Sequence, residues 1–192
     1  MFIQTQSTPN PATLKFLPGR DVSPATPYEF ISEDEAAASP LAAALFGVNG
    51  VRNVFLGADF VAITKTDDAD WAILKPQALA AIMDHFVSGA PIMADAAAHR
   101  AADEDDDTVY EGETAEIVAE IKELIATRVR PAVANDGGDI VFRRFDVATG
   151  IVHLSMKGAC SGCPSSTATL KNGVENLLRH YVPEVTAVEA TI

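Results

Sequence analysis

Basic side chains are scarce. The chain carries 14 Lys and Arg against 27 Asp and Glu in 192 residues, a net charge of −13. Binding nucleic acid needs clusters of cations to neutralise phosphates, so that partner is excluded. Long apolar runs are missing as well, and none approaches the roughly 18 residues that a membrane span requires. Cysteine is nearly absent: there are two, both in one short stretch, and none remains for a disulfide scaffold, which fits a reducing compartment. The opening residues, Met1-Phe2-Ile3-Gln4-Thr5-Gln6, show neither a basic signal-peptide start nor an Arg-rich transit pattern. The expectation is a protein that works where it is made.

What is present is an ordinary globular composition, 48% hydrophobic, with its charge spread unevenly. Residues 1–89 hold 5 basic and 10 acidic side chains, 90–112 hold 1 and 7, and 113–192 hold 8 and 10. The middle stretch contains Asp103-Glu104-Asp105-Asp106-Asp107 after an alanine-rich run and has no apolar face to bury. It reads as an acidic flexible linker over 90–112, with a docking tail for a basic partner as the alternative. The units on either side are expected to be two small α+β domains, 1–89 and 113–192.

In the first unit, Pro9 and Pro11 separate short extended pieces, and Tyr28 to Ile31 is a further strand candidate. Ser39-Pro40 is a helix start whose helix stops near Gly47. Val51 to Leu56 and Phe60 to Lys65, joined at Gly57-Ala58-Asp59, read as a hairpin. From Pro76 onward Leu79, Ile82, Met83 and Phe86 fall at helical spacing, with Gly89 as a stop. The second unit reads α-β-β-α-β. A helix over Thr114 to Arg130 ends at Pro131, with Ile117, Val118, Ile121, Leu124, Ile125 and Val129 as its stripe. A turn at Asn135 to Gly138 leads to strands Asp139 to Phe145 and Ile151 to Met156. A helix over Ser165 to Arg179 and a last strand, Thr186 to Ile192, follow. Gly137 and Gly138 are expected to shape the turn, and Asp139 to cap or solvate it.

Both cysteines sit in Lys157-Gly158-Ala159-Cys160-Ser161-Gly162-Cys163-Pro164, a glycine-flanked turn between a strand and a helix start. A helix N-terminus offers unpaired N–H groups and a positive dipole end, which favour thiolate over thiol. A C-x-x-C pair has three uses. A thioredoxin-type redox pair, giving a thiol–disulfide oxidoreductase, needs more chain after Cys163 than one helix and one strand. Structural zinc needs four ligands. None of His85, His99, His153 and His180 is placed to complete that set, and each reads as a surface or packing histidine. A 4Fe–4S cluster needs four thiolates, which a twofold dimer pairing Cys160 and Cys163 with their mates would supply.

The stretch Asp136-Gly137-Gly138-Asp139-Ile140, followed about twenty residues on by Gly158-Ala159-Cys160-Ser161-Gly162-Cys163-Pro164-Ser165-Ser166, resembles the NifU-like C-terminal domain of Nfu-type iron–sulfur proteins. Gln4-Thr5-Gln6-Ser7-Thr8-Pro9-Asn10-Pro11 with Leu14-Lys15-Phe16, and Trp71 to Pro76 leading into Ile82-Met83-Asp84, resemble the Nfu N-terminal domain. The resemblance implies a scaffold or carrier, not an enzyme, that holds a 4Fe–4S cluster at a homodimer interface. The cluster would come from an upstream scaffold and pass to apo iron–sulfur proteins, and a 2Fe–2S form is left open. It assigns the cofactor and metal ligands to Cys160 and Cys163 alone, and no catalytic residue. The N-terminal unit, without cysteine, would be a binding or regulatory module. Without a transit pattern, the bacterial cytoplasm is the expected location, with the mature mitochondrial matrix form as the alternative.

Overall fold

The computed structural model describes residues 2–23, 26–94, 108–161 and 164–191, with the side chains of 164–166 excepted. The chain divides into two compact units, Met1–Ala102 and Asp103–Ile192. Each is α+β, as expected. The acidic block 103–107 lies outside the described residues.

The first unit is a five-stranded antiparallel sheet in the order β1-β2-β5-β4-β3: β1 Gln4–Ser7, β2 Thr13–Leu17, β3 Tyr28–Phe30, β4 Val51–Leu56 and β5 Val61–Lys65. Period-2 alternation sends Phe16, Val54, Leu56, Val61 and Ile63 to one face, where they form a core with Leu41, Leu45, Leu74 and Ile82. The short helix α1, Glu33–Ala36, is capped by Ser32, whose side chain accepts from Glu35 N. Helix α2, Pro40–Phe46, begins as read: Ser39 caps it by accepting from Ala42 N at 3.1 Å, and Pro40 takes the first turn.

Helix α3, Trp71–Ser88, differs from expectation. Its start is Asp70, which caps Ala72 N at 2.9 Å, so Pro76 lies inside the helix and not at its head. A buried Leu74 in the first turns outweighs the one backbone bond that proline forfeits. The inward face is Leu74, Ala78, Ile82 and His85, whereas Met83 is 39% exposed. Gly89 ends the helix in the left-handed region, φ 70°. The chain then folds back, with Ser39 Oγ donating to Ile92 O at 2.6 Å and Ala94 N to Ala38 O at 2.8 Å. Residues 90–94 therefore pack on the first unit and do not begin the expected linker.

In the second unit, α4 (Glu113–Leu124) runs into a π-helical turn, Ile125–Val129, and on into α5, Arg130–Asn135. Pro131 does not end the helix. The wider π turn just before it accommodates a residue that cannot donate to the previous turn and whose ring would crowd it. Strands β6 (Gly138–Asp146) and β7 (Ile151–Gly158) pair antiparallel; α6 (Pro164–Tyr181) crosses over to β8 (Ala187–Thr191), which pairs parallel to β7. Val118, Ile121, Leu124, Ile125 and Val129 meet Ile140, Phe142, Leu154 and Met156 in the core, closed by Val174 and Leu178 of α6. On the open edge of β6 the Tyr110 hydroxyl accepts from Phe145 N at 2.8 Å and donates to Phe145 O at 3.2 Å, doing the work of a neighbouring strand. Residue 110, within the expected linker, thus belongs to the second unit.

Candidate metal centre

Two strand ends and a turn build the site. Gly138, the first residue of β6, pairs with Gly158, the last of β7. Gly137 and Gly158 stand at φ 83° and 66°, a region closed to most side chains, so both turn the chain where a bulkier residue would be strained. Beyond Gly158 the chain is tied down bond by bond. Ala159 N donates to Gly137 O at 3.2 Å; Ser161 N and Oγ both reach Gly158 O, at 3.1 and 2.8 Å. Thr167 Oγ1, from the first turns of α6, donates to Cys160 O at 2.7 Å.

Cys160 is held in this turn, 7% exposed and packed into the second core. Its Sγ lies against the backbone of Gly138: a Cβ there would come 2.7 Å from the sulfur, 2.6 Å from Lys157 O and 3.3 Å from Cys160 N. The glycine pair was expected to shape a turn. Gly137 does so, while Gly138 has the second task of making room for the sulfur. Cys163, the other expected ligand, lies outside the described residues, so the structure fixes one sulfur of the pair. Helix α6 starts at Pro164, four residues past Cys160.

Asp139 neither caps nor solvates the turn. It is buried, and both its oxygens accept from Arg130, from Nε at 2.8 Å and Nη2 at 2.7 Å. This bidentate hydrogen bonding holds the guanidinium charged more firmly than usual, against the opposing effect of burial. Lys157, also buried, is the register partner of Asp139 on β7. The beginning of β6 is thereby fixed to α5 one residue from the glycine that receives the sulfur. Sequence reasoning missed Arg130, which read only as the last residue of a helix, and Thr167. No local pattern announces a pair nine residues apart across α5 and the turn at Gly137.

Within the second unit, the described histidines do not converge on the cysteine turn. His153 Nδ1 lies 3.5 Å from Glu189 Oε2 across β7 and β8, and His180 stacks edge-on with Tyr181. His85 is in the other unit, and His99 is outside the described residues. Among the described residues no three His, Cys, Asp or Glu side chains gather into a metal site.

Residues 3–89 match the family described as the scaffold protein Nfu/NifU N terminal, and residues 121–189 match the NifU-like domain. The chain is 53% identical over 189 residues to NifU-like protein 5, mitochondrial, of Arabidopsis thaliana, covering 98% of this chain and 67% of that protein. It is 52% identical over 190 residues to the NFU1 iron-sulfur cluster scaffold homolog, mitochondrial, of Drosophila willistoni, covering 98% and 63%. A NifU-like protein of Saccharomyces cerevisiae solved by NMR is 26% identical, covering 49% of this chain and 85% of that one, with a TM-score of 0.43. The chain spans about two thirds of the length of these curated relatives. One expectation is overturned. The bacterial cytoplasm was read from the opening residues, yet these relatives are named mitochondrial.

Proposed function

The chain belongs to the family of Nfu- and NifU-type proteins, and on that premise we propose that it is an iron–sulfur cluster scaffold and carrier. Cys160 and Cys163 of two chains hold one 4Fe–4S cluster between them, so that four thiolates complete a set that one chain cannot. The observation that carries this reading is the seat of Cys160: a turn fixed by four hydrogen bonds, with a glycine in place of any side chain against Sγ. Ordered backbone of this kind presents a soft ligand repeatedly in one position. Coordination itself deprotonates a thiol, so no neighbouring base is required.

The cluster is cargo. It arrives from an upstream scaffold and leaves to an apo-protein by ligand exchange, in which an incoming thiolate forms an iron–sulfur bond as the bond to Cys160 or Cys163 breaks. The departing thiolate takes up a proton, and no electron moves. No bond of an organic substrate is made or broken, which makes this a carrier and not an enzyme. Cys163→Ser tests the reading: loss of both bound iron and iron-dependent dimerisation supports it, and normal reconstitution by that variant contradicts it.

A further inference from the structure

Of the four hydrogen bonds that fix the cysteine turn, three run backward. Ala159 N donates to Gly137 O, and Ser161 N and Oγ both donate to Gly158 O. The fourth runs forward: Thr167 Oγ1, on the fourth residue of α6, donates to Cys160 O at 2.7 Å. A helical threonine ordinarily bonds to the carbonyl three or four residues before it. Those carbonyls belong here to Pro164 and Cys163, yet the hydroxyl bonds to a residue seven back. The loop that it closes contains both cysteines.

We propose that Thr167 is a positioning residue for the metal centre, which fixes the spacing of the two thiolates by tying Cys160 to the helix that follows Cys163. The proposal rests on Cys160 and Cys163 being the ligands. Pro164 comes directly after Cys163 in the sequence and is the first residue of α6, with its φ set by the ring. Helix α6 is itself held in place, because Val174 and Leu178 are buried in the second core. A carbonyl tied to such a helix takes its position from a rigid element, and the pair then shares one frame of reference. Between the cysteines stand Ser161 and Gly162, and glycine leaves the backbone more conformations than any other residue. Without the tie, the spacing of the sulfurs would be left to that glycine.

Spacing decides how firmly two thiolates grip one metal. Once the first sulfur is bound, the second binds at an effective concentration set by the chain between them. That concentration is highest when the metal-free turn already spans the bound distance. Loss of the tie leaves both sulfurs able to bind but lets each leave more readily while the other holds. The hydroxyl is engaged by Cys160 O and is not offered as a ligand. Its effect therefore falls on how tightly metal is kept, and the expected size is that of one intramolecular hydrogen bond, about fivefold.

The test compares, in the full chain, Thr167→Val, which keeps the shape and removes the hydroxyl, with Thr167→Ser, which keeps the hydroxyl. One readout is the affinity of the metal-free chain for Cd(II), a soft ion, followed by thiolate-to-cadmium absorption against a competing chelator. The other is the rate at which a chelator strips iron from the reconstituted chain. Thr167→Val should weaken cadmium binding and quicken iron loss, each about fivefold, and Thr167→Ser should stay within about twofold of the parent chain. Thr167→Ala should repeat the loss although alanine is the better helix former, an outcome that a role in helix stability alone would not produce. A valine variant that keeps cadmium and iron as the parent does would overturn the proposal and leave the ligand reading intact. So would a serine variant that loses as much as valine. A parent chain that takes up neither metal would overturn both.

Discussion

The sulfur of Cys160 occupies the space that a side chain on Gly138 would need. A methyl group at residue 138 would lie 2.7 Å from Sγ and 2.6 Å from the carbonyl of Lys157, closer than packed atoms allow. Gly138→Ala must therefore shift either the sulfur or the end of the β6–β7 ladder. The cost expected is about 1–3 kcal/mol, as for other overpacked interiors, with iron retained after reconstitution falling several-fold. Thermal unfolding and iron per chain, measured on one preparation, check both. Unchanged iron binding would mean that the contact has no part in seating the ligand.

The Arg130–Asp139 pair should respond unequally to loss of its two ends. Asp139 is buried, with its side chain 7% exposed, while that of Arg130 is 43% exposed. Arg130→Gln strands a carboxylate out of water, whereas Asp139→Asn leaves an arginine that can turn to solvent. We expect the first to cost about 1–3 kcal/mol, below the range for a fully buried pair, and the second less. The chain's one tryptophan, Trp71, belongs to the first unit. Amide exchange along β6 is therefore the proper reporter, and equal losses would contradict the asymmetry.

His85 makes the first unit sensitive to acid. Its Nε2 is buried with no hydrogen-bond partner, and burial holds its pKa below the ordinary 6.5. The unfolded chain then takes up a proton that the folded one resists. Stability is full above about pH 6.5 and falls as pH drops through that value toward the lower folded pKa. Urea midpoints followed by Trp71 fluorescence should decline between pH 7.5 and 5.5, and His85→Leu should flatten the decline. A slope that persists in the variant would place its origin elsewhere.

Much of this was legible in the sequence, and the misses share a cause. The capped start at Ser39-Pro40, the hairpin of β4 and β5, and the apolar stripe of α4 are local patterns, and they fold as they read. Proline misled twice. Pro76 was taken as a helix start and Pro131 as a helix end, but a buried Leu74 in one case and a π turn in the other carry the helix through. The linker was drawn too wide because composition cannot reveal that Ile92 and Tyr110 bond to distant backbone. At the site, the glycine-flanked turn that carries Cys160 between a strand and a helix folds as it reads. The pairing of Arg130 with Asp139 comes from the packing of α5 on β6, and the fit of sulfur on Gly138 from the register of β6 against β7, neither of which a single stretch encodes.

Tyr110 offers a check on where the second unit begins. Tyr110→Phe removes both bonds to Phe145 and leaves an edge-strand N–H without its partner, at about 1–2 kcal/mol. Exchange at the Phe145 amide should quicken accordingly. An unaltered rate would show that residue 110 is not part of the folded unit.

The central claim is that one cluster is shared by two cysteine pairs, and anaerobic reconstitution with iron and sulfide, read as iron per chain beside mass in solution, tests it most directly. The account predicts about two irons per chain in a dimer that reverts when the iron is removed. A colourless monomer that closes a Cys160–Cys163 disulfide and turns over a reductant without iron would contradict it.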